Sequence, residues 1–323
     1  VRLTRRSMVL ASAASVVAPA PVGARAFPSR PIRIVVPYAP GGGADTVARL
    51  LAPKLQDALG QSVMIDNKPG AGGVIGDDVV AKAPPDGHTL LLGAFAHAVN
   101  PSLLPRMPFR TPDDFAPISL LVVVPDLLVV TPSLPATSVA ELIALAKAQP
   151  GKLAYGSAGN GTAQHLAAEL FKARTGCDIQ HVPYKGGGPA LVDVAAGHVQ
   201  MLFGNMSSAL PQAQAGRVRA VAVTSPKRSP AAPDVPTVAE SGVPGYDVYE
   251  WNALLAPAGT PAAVIERLQQ EAAKALRLPD VVARLATLGA EPVGSTPETF
   301  AAFLRTEIAK WADIVKTAGI KAE

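Results

Sequence analysis

The amino-acid sequence predicts an α/β fold built as two lobes, each a mostly parallel sheet flanked by helices, with a ligand cleft between them. Three observations carry that expectation. First, strand-like runs of period two alternate with helix-like runs across short links, the grammar of parallel βαβ units. Second, the chain offers two crossing points: the strand-like runs around Pro125, and the proline-rich connection 225–247. Crossing at both makes 126–247 one lobe and leaves 27–125 with 248–323 to build the other. Third, three strand-to-helix junctions are polar and glycine-rich, within 32–51, 153–170 and 179–191. Helix starts carry unpaired N–H groups and a partial positive charge, so three of them point to one small anionic ligand.

Residues 1–26 are expected to lie outside the fold, as an export signal. Arg2, Arg5 and Arg6 form a basic start, followed by a short apolar run, Met8 to Ala20, too short to span a bilayer. Ala24-Arg25-Ala26 fits an A-x-A pattern, so cleavage is expected after Ala26. Thr4-Arg5-Arg6-Ser7-Met8-Val9-Leu10 resembles a twin-arginine signal; an ordinary Sec signal with two adjacent arginines is the alternative. The chain carries 29 Lys and Arg against 25 Asp and Glu, but four of the arginines and no acid lie in 1–26. The chain from Phe27 onward is charge-balanced and gives no footprint for nucleic acid. Cys177 is the single cysteine, which excludes an internal disulfide and is expected to pack as a small apolar residue. A hydrophobic content of 49% supports sizeable cores, and no 18-residue apolar run occurs after the signal.

The elements come in this order. Strand 32–36 leads into helix 45–59, with Asp45 as N-cap and a kink or break expected at Pro53. Strand 62–66 leads through a glycine-rich turn to helix 74–82, and strand 89–93 comes after the turn signal Asp86-Gly87. Two strand-like runs, 118–124 and 126–131, flank Pro125, and helix 138–149 ends at Pro150-Gly151. Strand 153–157, helix 161–174, strand 179–183, helix 188–197, strand 199–204, helix 207–215 and strand 218–224 continue the alternation. An apolar strand at 248–256 and helices 261–277, 280–288 and 297–317 close the chain.

Each glycine-rich junction has a plain alternative. Gly41-Gly42-Gly43 lacks the Gly-Lys-Ser/Thr of a P-loop and the spacing of a dinucleotide fingerprint, so it is a ligand seat or only a tight turn. In Gly156-Ser157-Ala158-Gly159-Asn160-Gly161-Thr162, the side chains of Ser157, Asn160 and Thr162 stand beside exposed backbone N–H groups. A carboxylate there gains two or three hydrogen bonds, each of roughly 1.5–3 kcal/mol when charge-assisted and dry. Plain N-capping by Asn160 or Thr162 is the other reading. His165 shares a helix face with Thr162, in the site or merely packed. Gly186-Gly187-Gly188-Pro189 opens the third helix, Pro189 suiting a first helical position, and Lys185 is the one cation beside a glycine start. Asn205 ends strand 199–204 and is placed to line the same mouth.

Metal and covalent chemistry find little support. His88, His97, His165, His181 and His198 form no metal-ligand spacing, and the carboxylates form no recognisable acid/base pair. No catalytic residue, metal or cofactor is expected. The competing class is a secreted hydrolase using Ser157 or Cys177.

These motifs resemble the Bug-type extracytoplasmic solute receptors of tripartite tricarboxylate transporters, across nearly all of Phe27 to Gly319. The resemblance is carried by Pro40-Gly41-Gly42, Asp45, Asn67-Lys68-Pro69-Gly70-Ala71-Gly72-Gly73, Pro85-Asp86-Gly87, Asn100-Pro101, Gly159-Asn160-Gly161-Thr162, Val182-Pro183-Tyr184-Lys185-Gly186, Pro189-Ala190-Leu191 and Asp234-Val235-Pro236-Thr237. It implies a type II periplasmic binding protein fold with a hinge. It also implies a small carboxylate ligand gripped by Tyr38–Asp45 (with Tyr38, Pro40 and the three glycines), Ser157–Thr162 and Lys185–Ala190. Membrane permease subunits are the implied partner, the periplasm the implied location, and a monomer is expected; a sensor for a membrane kinase is the alternative role. Many relatives carry an acid where this chain has Gly204, so an amine-recognising acid is missing at that position. Gly187 and Gly188 stand where Ser or Thr is usual and offer only backbone, and His88 replaces a usual tyrosine.

Overall fold

The computed structural model describes residues 27–184 and 186–321; the expected export signal and Lys185 lie outside the described residues. β1 (Ile32–Val36) alternates buried apolar side chains and leads into α1 (Gly43–Leu59). β2 (Val63–Asn67), a short 3₁₀ turn (Ala71–Gly73), α2 (Val74–Ala81), β3 (Thr89–Ala94) and α3 (Phe95–Leu103) come next. β4 (Phe115–Val130) then runs for 16 residues. Beyond it come α4 (Val139–Ala148), β5 (Ala154–Ser157), α5 (Ala163–Thr175), β6 (Gln180–Pro183), α6 (Gly187–Ala196), β7 (Met201–Asn205), α7 (Met206–Gln214) and β8 (Arg219–Val223). β9 (Tyr249–Pro257), α8 (Ala262–Ala275), α9 (Pro279–Thr287), β10 (Glu291–Pro292) and α10 (Pro297–Thr317) complete the chain. Among the described residues, no helix is long and apolar enough to cross a membrane.

The sheet runs β2-β1-β3-β9-β4-β7-β5-β6, with β8 and β10 also paired to β4. The parallel strands expected from the alternation are β2-β1-β3 on one side and β7-β5-β6 on the other. Between them β4 and β9 run antiparallel to each other and to their neighbours. β4 and β9 are thus the strands through which the chain crosses between the two parallel sets.

Helices cover both sides of this sheet. Ile32, Ile34 and Val36 pack with Leu51, Leu268 and Leu285 under α1, α8 and α9. Trp251, Trp311, Phe300 and Phe171 fill the opposite core, under α3, α5 and α10. Leu127, Val129 and Leu202 pack beneath α6 and α7. Cys177 is buried and free. Full burial of such side chains contributes about 1.5–3 kcal/mol each.

Several sequence expectations are corrected. The two strand-like runs around Pro125 are one strand, and Pro125 sits where β4 changes partners. Phe115 to Pro125 pairs with β9, whereas Asp126 to Val130 pairs with β7 and β8. A proline has no N–H to give to a ladder, so it fits a handover point. α1 runs unbroken through Pro53. Its N-cap is Gly42 rather than Asp45, which occupies the third helical position. α3 was not among the expected elements; its buried Phe95, Ala98 and Val99 keep helical spacing, and Pro101 lies inside it. Pro189 stands third in α6, not first, still within the turn whose N–H groups have no intrahelical partner.

The crossings are tied together by Thr224, which is fully buried just past β8. Its Oγ1 accepts from Asp126 N at 2.8 Å and donates to Val248 O at 2.8 Å. Its own N–H donates to Asp126 O at 2.9 Å, and Val248 N returns a bond to Thr224 O at 3.1 Å. Thr224→Val keeps the shape and strands these groups. It is expected to lower the unfolding free energy by about 1–3 kcal/mol, measured by urea denaturation.

Candidate functional site

The first glycine junction is shaped from behind by Asp45. This buried carboxylate accepts from Gly41 N at 2.9 Å, from Arg49 Nε at 2.8 Å and from Asn67 Nδ2 at 2.9 Å. Asn67 also donates to Tyr38 O at 3.0 Å. The Arg49 hydrogen bond, helped by Gly41 and Asn67 and opposed by burial, holds the Asp45 carboxyl down to about 2. Asp45 is thus ionised and engaged within the protein, while Pro40, Gly41, Gly42 and Gly43 are exposed. Tyr38 is half-buried, with its hydroxyl beside Gly73. Burial, with the charges of Asp77 and Glu250, pushes its phenol far up, so it stays neutral. Next to it, Gly70, Ala71, Gly72 and Gly73 all have positive φ, at 133°, 48°, 62° and 100°. Asn100 of α3 pins this turn, its Nδ2 donating to Gly72 O at 3.0 Å.

The second junction is built on a stack of rings. Tyr155 lies directly across from His181 in the β5–β6 ladder, ring centroids 4.9 Å apart. His165 stacks on His181 at 4.0 Å with an interplanar angle of 9°. His181 Nε2 lies 2.6 Å from Ser157 Oγ, which accepts from Gly159 N at 3.1 Å. His165 Nδ1 accepts from Gly161 N at 3.0 Å, which leaves its proton on Nε2 in the neutral ring. Thr162 is the N-cap of α5, with Oγ1 donating to Gly159 O at 2.7 Å and accepting from His165 N at 3.4 Å. Of the two capping candidates, Thr162 does the capping. Beneath, Tyr155 donates to Glu169 at 2.6 Å, and Lys172 pairs with the same oxygen at 2.7 Å. Nothing in the sequence pairs Ser157 with His181; only the strand register brings them together.

The third junction abuts the second. Tyr184 N donates to Ser157 O at 3.0 Å, and Tyr184 O lies 3.5 Å from where a Cβ on Gly159 would stand. A Cβ on Gly187 would stand 2.6 Å from the Nε2 end of the Gln164 side chain of α5, so α6 lies close against α5 here. Gly186 caps α6 at a φ of 132°, Gly188 has open space around its Cα, and Ala190 is buried. Burial, with the hydrogen bond to Asp193, pushes the Tyr184 phenol up to about 12.

The two sides of the molecule meet around these junctions. A Cβ on Gly161 would stand 2.4 Å from Leu103 Cδ1, so α3 packs directly onto the second junction. Asn205 is the N-cap of α7: its Oδ1 accepts from Ser207 N at 3.0 Å, and its Nδ2 donates to Glu250 of β9 at 2.9 Å. Ser157 is buried within its loop, and Cys177 sits in the core. Gln164, His181 and Glu250 join the expected residues through long-range contacts that no local motif announces, and Asn67 and Asn100 of the resemblance motifs prove to be supports of the first junction.

The histidine stack gives the site a pH signature. Burial, then the neighbouring His181 and Lys172, depress His165 from 6.5 to about 3. Between those values the unfolded chain holds a proton that the folded one excludes, so stability falls as pH drops below about 6.5. His165→Asn is expected to flatten the urea-midpoint profile between pH 6.5 and 3 by up to one proton relative to the parent protein.

Residues 47–320 match the family model described as tripartite tricarboxylate transporter family receptor. The chain is 43% identical to Protein BugT of Bordetella pertussis (strain Tohama I) over 304 residues, covering 94% of this chain and 93% of that one. Among solved structures, R. palustris Rpa4515 with adipate matches at a TM-score of 0.79 and 41% identity, covering 91% of this chain and 99% of that one. MatC (Rpa3494) from Rhodopseudomonas palustris with bound malate matches at 0.75 and 36%, covering 90% and 100%. The shared motifs, the two-sided α/β sheet and the adjoining glycine junctions agree with these matches: the chain belongs to the tripartite tricarboxylate transporter receptor family, a Bug-type solute receptor and not an enzyme.

Proposed function

We propose that this protein is a periplasmic receptor that binds a small carboxylate between its two lobes, closes around it and delivers it to the membrane subunits of a tripartite transporter. The observation that carries the reading is the adjacency of the helix starts of α5 and α6, two glycine-rich anion seats side by side. Relatives at 41% and 36% identity hold adipate and malate, which supports a carboxylate ligand here.

The proposed lobes are 27–125 with 248–323, and 126–247, exchanging at the handover on β4. The receptor is proposed to act as a monomer after cleavage behind Ala26. Recognition falls to backbone N–H groups and helix ends, with Tyr38, Asn160, Thr162 and Asn205 at the rim, the Ser157 loop behind them and Lys185 as a further contact. Closure results from contacts the ligand makes only when both lobes engage it.

A thermal-shift screen against mono-, di- and tricarboxylates, aromatic acids and amino acids tests this. A ligand at 100 times its dissociation constant adds about 2.7 kcal/mol of stability. Gly42 has φ −75° and ordinary clearance for a Cβ, so Gly42→Leu is expected to fold normally and lose the ligand-induced shift. An unchanged shift in that variant removes the first junction from the site.

A further inference from the structure

We propose that Glu250 reads the end of the ligand remote from the seated carboxylate, selecting a hydrogen-bond donor there, an ammonium or a hydroxyl, over a second carboxylate. This selectivity rests on the receptor reading and narrows it.

Glu250 is half-buried in β9, at the seam between the two sides of the sheet. Its carboxylate is held by Asn205 at 2.9 Å, and the orientation of that amide is set because its oxygen already accepts from Ser207 N and Oγ. On the other side of the mouth, Tyr38 lies within the electrostatic reach of Glu250. Glu250 therefore stands between the end of β1 and the end of β7, where strand C-termini from both sides converge.

A second acid lies behind it. Asp126 is directly opposite Asn205 in the β4–β7 ladder, so the two side chains share one face of the sheet. Asp126 is fully buried, and neither of its carboxylate oxygens has a hydrogen-bond partner among the described residues. Burial dominates the environment of both acids, joined by Glu250's own charge at Asp126 and by the Asn205 amide at Glu250; no described cation bears on either. Both carboxyls are consequently pushed upward. A second ligand carboxylate placed here meets like charge or needs an extra proton. A hydroxyl or ammonium finds an acceptor, and an ammonium also supplies the missing positive charge.

The test uses the purified full-length mature protein and straight-chain monocarboxylates of three to six carbons. Each carries a terminal ammonium, hydroxyl or carboxylate. Affinity is measured by calorimetry at pH 7. At the best-fitting length, a donor-ended ligand is expected to bind at least 10-fold more tightly than the diacid, and Glu250→Gln is expected to erase that ratio. The tighter of the two donor-ended ligands names the preferred group, ammonium or hydroxyl. Diacid binding as tight as that of both donor-ended ligands overturns the inference, as does an unchanged ratio in Glu250→Gln. If that variant does not fold, the ratio in the parent protein decides. If no carboxylate of any class binds, the receptor reading itself falls and takes this inference with it.

Discussion

The fold depends on keeping backbone groups bonded where the chain passes from one side of the sheet to the other. β4 serves both sides in turn, and at Pro125 and Asp126 its neighbours change. An unbonded buried N–H or C=O at that point would cost about as much as a lost hydrogen bond or more. Proline removes one donor outright, and Thr224 satisfies the groups of Asp126 while gripping Val248 before β9 begins. This knot fixes where β7 ends, hence where Asn205 caps α7 and where Glu250 meets it.

The site built around this seam contains few cations among the described residues. Its positive character comes from helix starts and from N–H groups that glycine leaves uncovered. Side chains work mostly behind the loops. Asp45 draws in Gly41, and His165 draws in Gly161 only while its ring stays neutral. The stacked His165 and His181 keep two backbone turns in shape.

Much of this was legible in the sequence, and the reasons for the remainder are physical. Long periodic elements such as α5 and α10 were clear because apolar spacing and Thr caps agree locally. α3 was not, because its buried apolar spacing is confined to Phe95, Ala98 and Val99 and Pro101 lies inside it. The glycine junctions were visible as motifs. Their supports were less so, because His181 and Gln164 reach them through strand register and helix packing. β7 itself carries Gly204, and only the sheet order shows that β4 and β9 bring Asp126 and Glu250 to the neighbouring Asn205.

The clearances at the glycines also bear on how such a receptor can diverge. Gly70 and Gly161 combine positive φ with a neighbour 2.6 and 2.4 Å from any added Cβ. A side chain at either position is strained by the backbone conformation itself, whatever the ligand. Under the proposed reading, receptors of this kind would change their nutrient by exchanging residues other than these backbone-constrained glycines.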